Sequence, residues 1–110
     1  MPRSFDTFSA DELLRLCTVD GARALGMEDR IGTLEPGKEA DLCAIGIGGP
    51  HTVPSFDPVV SLFHAARGSD VVLTVVGGEI LYRSGEFMTI HVSDARAAVE
   101  AAADRLRAAR

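Results

Sequence analysis

Apolar and polar residues alternate along this chain in short blocks of different period, and each change of period marks a change of element. Ser9 followed three residues later by Glu12 is a capping box, and Phe8 and Leu13 stand where a hydrophobic staple would flank it. Leu13, Leu14, Leu16 and Cys17 then form one wide apolar face, which predicts a helix from Ala10 to about Val19 packed against another element. Asp20 is placed to cap a second, short helix through Ala22 to Leu25, which Gly26 would end in a left-handed conformation. From Ile31 to Lys38 the pattern is that of a turn region, with Pro36-Gly37 suited to a type II turn.

Leu42 to Ile47 is almost continuously apolar between Asp41 and Gly48-Gly49-Pro50, as expected of a strand buried on both faces. His51 to Phe56 reads as an ordered loop. Asp57-Pro58 opens a third helix, with aspartate at the cap and proline at the first helical position; Gly68 is placed to end it. Val71–Val76 and Glu79–Tyr82 flank Gly77-Gly78, a two-residue hairpin signal. The implied register sets Val75 opposite Ile80, Leu73 opposite Tyr82, Val76 opposite Glu79 and Thr74 opposite Leu81. Ser84-Gly85 turns into a third short strand, Glu86 to Ile90. Ser93 would cap a final helix to about Ala108, with a narrow stripe of Val99, Ala102 and Leu106. The predicted fold class is α+β, a small, mostly antiparallel sheet with flanking helices.

Composition narrows this picture. With 110 residues, 46% hydrophobic and 25% charged, the chain reads as a single ordinary soluble unit with a modest core. No apolar run reaches membrane-spanning length, and Met1 to Asp6 lacks the core of a secretory signal. A formal charge of -5 with scattered arginines argues against nucleic-acid binding. Cys17 and Cys43 read as small core residues of a reduced, cytoplasmic protein rather than a disulfide pair.

The search for chemistry returns no self-contained site. His51, His64 and His91 fall in a loop, a helix and a strand end without a metal-ligand spacing, and His64 reads as a semi-buried packing residue. Asp11-Glu12 suits a helix N-terminus, while Glu28-Asp29 and Glu39/Asp41 read as solvated turn carboxylates. Lys38 after Gly37 lacks the remainder of a phosphate loop and reads as a solvated turn lysine. Neither a G-x-S-x-G elbow nor a dinucleotide-binding glycine pattern is present. No catalytic, metal-binding or cofactor-binding residue is therefore assigned to any position.

The order of these features carries more than any single one. The run S-A-D-E-L-L-R-L-C-T-V-D-G-A-R-A-L-G-M-E-D-R-I-G-T-L-E-P-G-K-E-A-D-L-C-A-I resembles the C-terminal region of the metal-dependent amidohydrolase superfamily. P-H-T-V-P-S-F-D-P-V-V-S-L-F-H-A-A-R-G-S-D-V and V-V-G-G-E-I-L-Y-R-S-G-E-F are similar to its deaminase and chlorohydrolase branch. The resemblance runs from about Phe8 to the C-terminus. It implies a parent with a metal-bearing (β/α)8 barrel and a small β-sandwich built from both chain ends. Residues 1–30 would then be terminal barrel-type helices and 31–110 the C-terminal sandwich portion with a closing helix.

The family's metal ligands, an H-x-H, further histidines and a late aspartate, would all lie upstream of the matched segment. Asp6 stands too close to the Ser9 cap to be that aspartate, and Asp20 replaces the asparagine common before G-A-R. The expectation is thus a non-catalytic, metal-free structural portion of a hydrolase whose full-length parent uses Zn or Fe for hydrolytic deamination, dechlorination or C–N cleavage. The alternatives are an independent self-associating or partner-binding α+β module, and complementation by a separate chain carrying the barrel. In each case exposed strand edges and an apolar sheet face point to homo-oligomerisation.

Overall fold

The computed structural model describes residues 8–110; Asp6 and the Met1–Asp6 segment lie outside them. Elements follow the order α1 (Ala10–Cys17), α2 (Val19–Ala24), β1 (Leu42–Ile45), α3 (Pro58–His64), β2 (Val71–Val76), β3 (Glu79–Arg83), β4 (Glu86–Phe87) and α4 (Val92–Ala108). A 3-10 turn at Gly68–Asp70 leads into β2. The strands form one open antiparallel sheet in the order β1-β2-β3-β4, with helices flanking it. The predicted α+β class is the one observed.

Local signals placed most boundaries. The Ser9 side chain accepts the Glu12 N–H at 3.2 Å and the Glu12 carboxylate accepts the Ser9 N–H at 2.7 Å, a reciprocal capping box. Asp57 accepts the N–H groups of Val59 and Val60 at 2.8 and 3.3 Å, with Pro58 opening α3. At the end of α2 the Met27 N–H reaches the Ala22 carbonyl and the Gly26 N–H that of Arg23, a Schellman closure around Gly26. Glu35 to Lys38 closes the expected turn, with a 3.2 Å bond from the Lys38 N–H to the Glu35 carbonyl.

Several expectations are corrected. The first helix ends at Cys17, because Thr18 leaves helical geometry (φ -125°, ψ -96°) and its hydroxyl donates back to the Leu14 carbonyl at 2.7 Å. The second helix consequently starts at Val19, so Asp20 sits in its first turn rather than at its cap. There its carboxylate faces Arg15 at 3.4 Å and Arg23 at 3.5 Å. Gly68 does not end α3, which stops at His64; the Asp70 carboxylate takes the Arg67 N–H at 2.7 Å and winds the Gly68–Asp70 turn instead. Ser93 lies inside the first turn of α4, and His91 occupies the cap position without a side-chain bond.

The hairpin register holds at Val76 opposite Glu79 and Val75 opposite Ile80, then slips by one. Thr74 faces Tyr82 and Leu73 faces Arg83, because a bulge leaves Leu81 as the extra residue on β3. β4 pairs only at Phe87 with Tyr82 and Glu86 with Arg83, and ends well short of Ile90. The Met88 N–H makes a last bond to the bulged Leu81 at 2.9 Å.

Burial departs furthest from expectation. Among the described residues Ala22, 3% exposed, is the one buried hydrophobic residue. Cys17 and Cys43 are both exposed free thiols rather than core residues, and His64 is exposed rather than semi-buried. β1 is four residues long and half-buried, not enclosed on both faces, and it is an edge strand of the sheet among the described residues. The Cα radius of gyration is 18.8 Å, where a compact chain of this length would measure about 13 Å. α4 makes no substantial contact with any other element among the described residues. No helix among them is long and apolar enough to cross a membrane.

Candidate functional site

Two kinds of feature could carry function: polar clusters that hold loops in place, and apolar hollows that lack a filling. The first polar cluster surrounds Lys38. Its ammonium donates to the Glu28 carbonyl and the Thr33 hydroxyl, each at 2.8 Å, and lies 3.2 Å from the Glu35 carboxylate. Its side chain is only 19% exposed, so the expected solvated lysine is instead a clamp across the 28–38 turn. The Thr33 hydroxyl passes the interaction on by donating to Glu35, and these contacts, Thr33 first, hold the Glu35 carboxyl below its ordinary range.

Of the turn carboxylates, Glu28 and Asp29 are exposed as expected, whereas Glu39 and Asp41 are engaged. Glu39 meets Arg30 at 2.9 Å, and the Glu39 N–H donates to the Arg30 carbonyl. Asp41 accepts the Gly77 N–H at 2.6 Å, while the Gly78 N–H donates to the Ala40 carbonyl at 3.1 Å. The residues entering β1 are thereby tied to the β2–β3 turn, where Gly77 and Gly78 both take positive φ. Gly32 locks the other end of this joint. Its φ is +97°, and a Cβ there would lie 2.8 Å from the Ala22 Cβ, so the turn packs directly on α2.

The second polar cluster centres on Asp70. Its carboxylate accepts from His51 Nε2 at 2.7 Å and from the Arg67 N–H at 2.7 Å, and its carbonyl accepts the Gly46 N–H at 2.8 Å. The His51 bond, followed by that of Arg67, holds the Asp70 carboxyl below its ordinary value. Gly49 seats the imidazole: a Cβ there would come within 2.9 Å of the ring carbon Cε1. One aspartate therefore joins the end of β1, the 46–57 loop and the start of β2. Neither this pairing nor the Lys38 clamp has a sequence signature, since both join residues brought together by turns.

The larger hollow, about 650 Å³, lies between the helices and the sheet edge. Leu14 and Leu25 line it from the helices, Ile31 from the turn, and Leu42 and Ile45 from β1, with Cys17 and Cys43 also on its wall. A second hollow of about 390 Å³ lies over the sheet, where the rings of Tyr82 and Phe87 meet edge-on at 4.9 Å. The ionisable groups on these walls are Cys17, Asp41 and Cys43 in the larger hollow and Tyr82 in the smaller. Among the described residues no group of three or more His, Cys, Asp or Glu side chains could hold a metal ion. The three histidines are not brought together: His51 is committed to Asp70, His64 is exposed on α3 and His91 precedes α4.

Comparison with known proteins gives this geometry a context. A model of the amidohydrolase family matches residues 1–81. The chain is 46% identical over 90 residues to the 5-methylthioadenosine/S-adenosylhomocysteine deaminase of Moorella thermoacetica, a match that covers 82% of this chain and 21% of that protein. A zinc-bound adenosine deaminase structure from Xanthomonas campestris superposes with a TM-score of 0.84 at 32% identity, covering 91% of this chain and 23% of that one. An atrazine chlorohydrolase from Arthrobacter aurescens, solved with zinc, superposes with a TM-score of 0.76 at 31% identity, covering 84% and 20% respectively. The chain thus spans about a fifth of the length of each of these relatives.

Proposed function

The chain belongs to the amidohydrolase family, and on that premise we propose that it is the C-terminal structural portion of a hydrolytic deaminase acting on an adenine nucleoside, with the chemistry carried by residues outside it. The observation that carries this reading is the close superposition of almost the whole chain on about a quarter of a zinc-bound adenosine deaminase. Residues 1–30 would close the catalytic barrel and residues 31–110 would form one side of the accompanying sandwich.

The described residues do not fit the family's metal. Their imidazoles are dispersed, and the best-held one already has its Nε2 bonded to Asp70. What they do fit is support. The Lys38 clamp, the Asp41–Gly77 tie and the Asp70 hub fix how the helices, turn and sheet follow one another. The hollow between α1, α2 and β1 is lined by leucine and isoleucine side chains that need a covering surface. A reduced, cytoplasmic setting goes with the two free thiols on that wall.

The test is elemental analysis and a deamination assay on the purified chain. No stoichiometric zinc and no ammonia release from methylthioadenosine are expected. Either activity in the isolated chain would overturn the reading.

Self-association is a second reading favoured by one feature: β1 and β4 are uncovered sheet edges beside exposed apolar side chains. A dimer or higher oligomer by light scattering at micromolar concentration is expected. A well-behaved monomer would dismiss it.

A further inference from the structure

The loop between β1 and α3 is pinned along its length, yet it holds a phenylalanine out in water. The Gly46 N–H donates to the Asp70 carbonyl at 2.8 Å, and His51 Nε2 bonds the Asp70 carboxylate at 2.7 Å. Thr52, 3% exposed, ties its N–H and its hydroxyl to the Gly49 carbonyl at 3.0 and 2.9 Å. The Ser55 and Ser61 hydroxyls meet at 2.6 Å, and the Asp57 carboxylate caps α3. Phe56 stands between these last two anchors and is 96% exposed. A ring whose neighbours are fixed on both sides loses little freedom when it is covered, which suits an interface anchor.

A hollow that suits such a ring opens beyond the other end of the same helix. Gly68, four residues past the end of α3, forms part of its wall together with Val71, Tyr82, Phe87 and Ile90. Phe87 and Ile90 are 48% and 54% exposed. The Tyr82 and Phe87 rings meet edge-on at 4.9 Å, an arrangement that a third ring can extend. Hollows of roughly 300–1,000 Å³ take whole drug-sized molecules, so its 390 Å³ admits one phenyl ring. The chain's own Phe56, in water, does not fill it.

Charge decides how a second copy would approach. Asp57 marks the N-terminal end of α3, while His64 and Arg67 are exposed at and just beyond its C-terminal end. Val60, 43% exposed, lies between them. The helix has seven residues and is about 10 Å long. Two such helices laid antiparallel about a two-fold axis near Val60 set each Asp57 beside the other copy's His64 and Arg67. The same rotation carries each Phe56 toward the Gly68 rim of the other copy's hollow. A parallel arrangement would instead set Asp57 against Asp57 and leave both hollows empty.

We infer that this chain pairs with a second copy of itself through antiparallel α3 helices, each Phe56 entering the Tyr82–Phe87 hollow of the other. This rests on the self-association reading above and gives it a face, in place of the uncovered sheet edges. The contact is self-complementary and closes at two copies, because anchor and hollow lie at opposite ends of one helix.

The full chain is followed by light scattering and analytical ultracentrifugation at micromolar concentration, where a dimer is expected. Phe56→Ser should weaken the dimer at least about tenfold while leaving the far-ultraviolet circular dichroism unchanged, since the ring is already in water in the single chain. His64→Glu combined with Arg67→Glu should also weaken it, by setting acid against Asp57, and the loss should shrink as salt is raised. A second measurement replaces Phe56 by the photoreactive p-benzoylphenylalanine in an isotope-labelled chain, mixed with unlabelled chain and irradiated. Cross-links are expected from the labelled position 56 to unlabelled peptides that hold Gly68–Val71 or Tyr82–Ile90.

A dimer indifferent to Phe56→Ser, or cross-links confined to other peptides, overturns this face and leaves pairing through the sheet edges standing. A monomer without intermolecular cross-links overturns both, and the surface that covers Phe56 is then a different one, such as the portion of the amidohydrolase fold that this chain does not span.

Discussion

The joint between α2 and β1 and the helix α4 are built on opposite principles. In the joint, a set of polar side chains finds partners within the chain: Lys38 with Glu28, Thr33 and Glu35, Glu39 with Arg30, Asp41 with the hairpin turn. In α4 the ion pairs run between its own residues, and among the described residues the helix makes no substantial contact with another element. Directional hydrogen bonds can be completed by neighbours a few turns away. Burial of an apolar stripe needs a second surface, which the described residues do not provide. The difference separates what the chain determines by itself from what it offers to something else.

Breaking the joint should cost more than altering α4. Gly32→Ala forces a Cβ against Ala22 at a residue with positive φ, and a loss of about 2–3 kcal/mol is expected from urea denaturation. Lys38→Met removes two donors from the turn and should cost about 1–2 kcal/mol by the same measurement. Asp57→Ala uncaps α3, with an expected loss of about 1 kcal/mol. At the other extreme, Leu106→Ser in α4 should shift the isolated chain by less than about 0.5 kcal/mol, because that side chain is already in water. A large effect of Leu106→Ser would mean that α4 packs on its own sheet, and the contrast would collapse.

The acid side of the pH profile sharpens the same contrast. Asp70 is held below its unfolded value, chiefly by His51 and then by the Arg67 N–H, and Glu12 by the Ser9 cap. A carboxyl depressed in the folded state binds fewer protons there than when unfolded. Its contribution is therefore complete above about pH 4–5 and is lost as pH falls through the depressed value. Asp70→Asn and Ser9→Ala should each flatten the dependence of the urea midpoint on pH between about 5 and 2. An unchanged slope in Asp70→Asn would show that the hub contributes nothing to acid stability.

Legibility in the sequence followed the range of each interaction. Ser9-x-x-Glu12, Asp57-Pro58, Pro36-Gly37 and Gly77-Gly78 act within four residues, and each appeared where expected. Asp20 misled because Thr18 broke the helix first, a choice between two adjacent residues that propensity alone does not settle. The bulge at Leu81 shifted half a register that was correct next to the turn. The clamp at Lys38 and the His51–Asp70 bond span 10 and 19 positions, and nothing in the local pattern announces them. The exposure of Cys17, Cys43 and the β1 edge was missed for a different reason. An apolar run records that a surface suits burial, not which chain will bury it.

Hydrogen exchange of the chain, resolved by peptide, tests the contrast most directly. Alone, the β2–β3 hairpin and the α2–β1 joint should exchange more slowly than α4. If α4 is already as protected as the hairpin in the isolated chain, its stripe is covered from within, and the division between a self-completed joint and an unfinished helix is wrong.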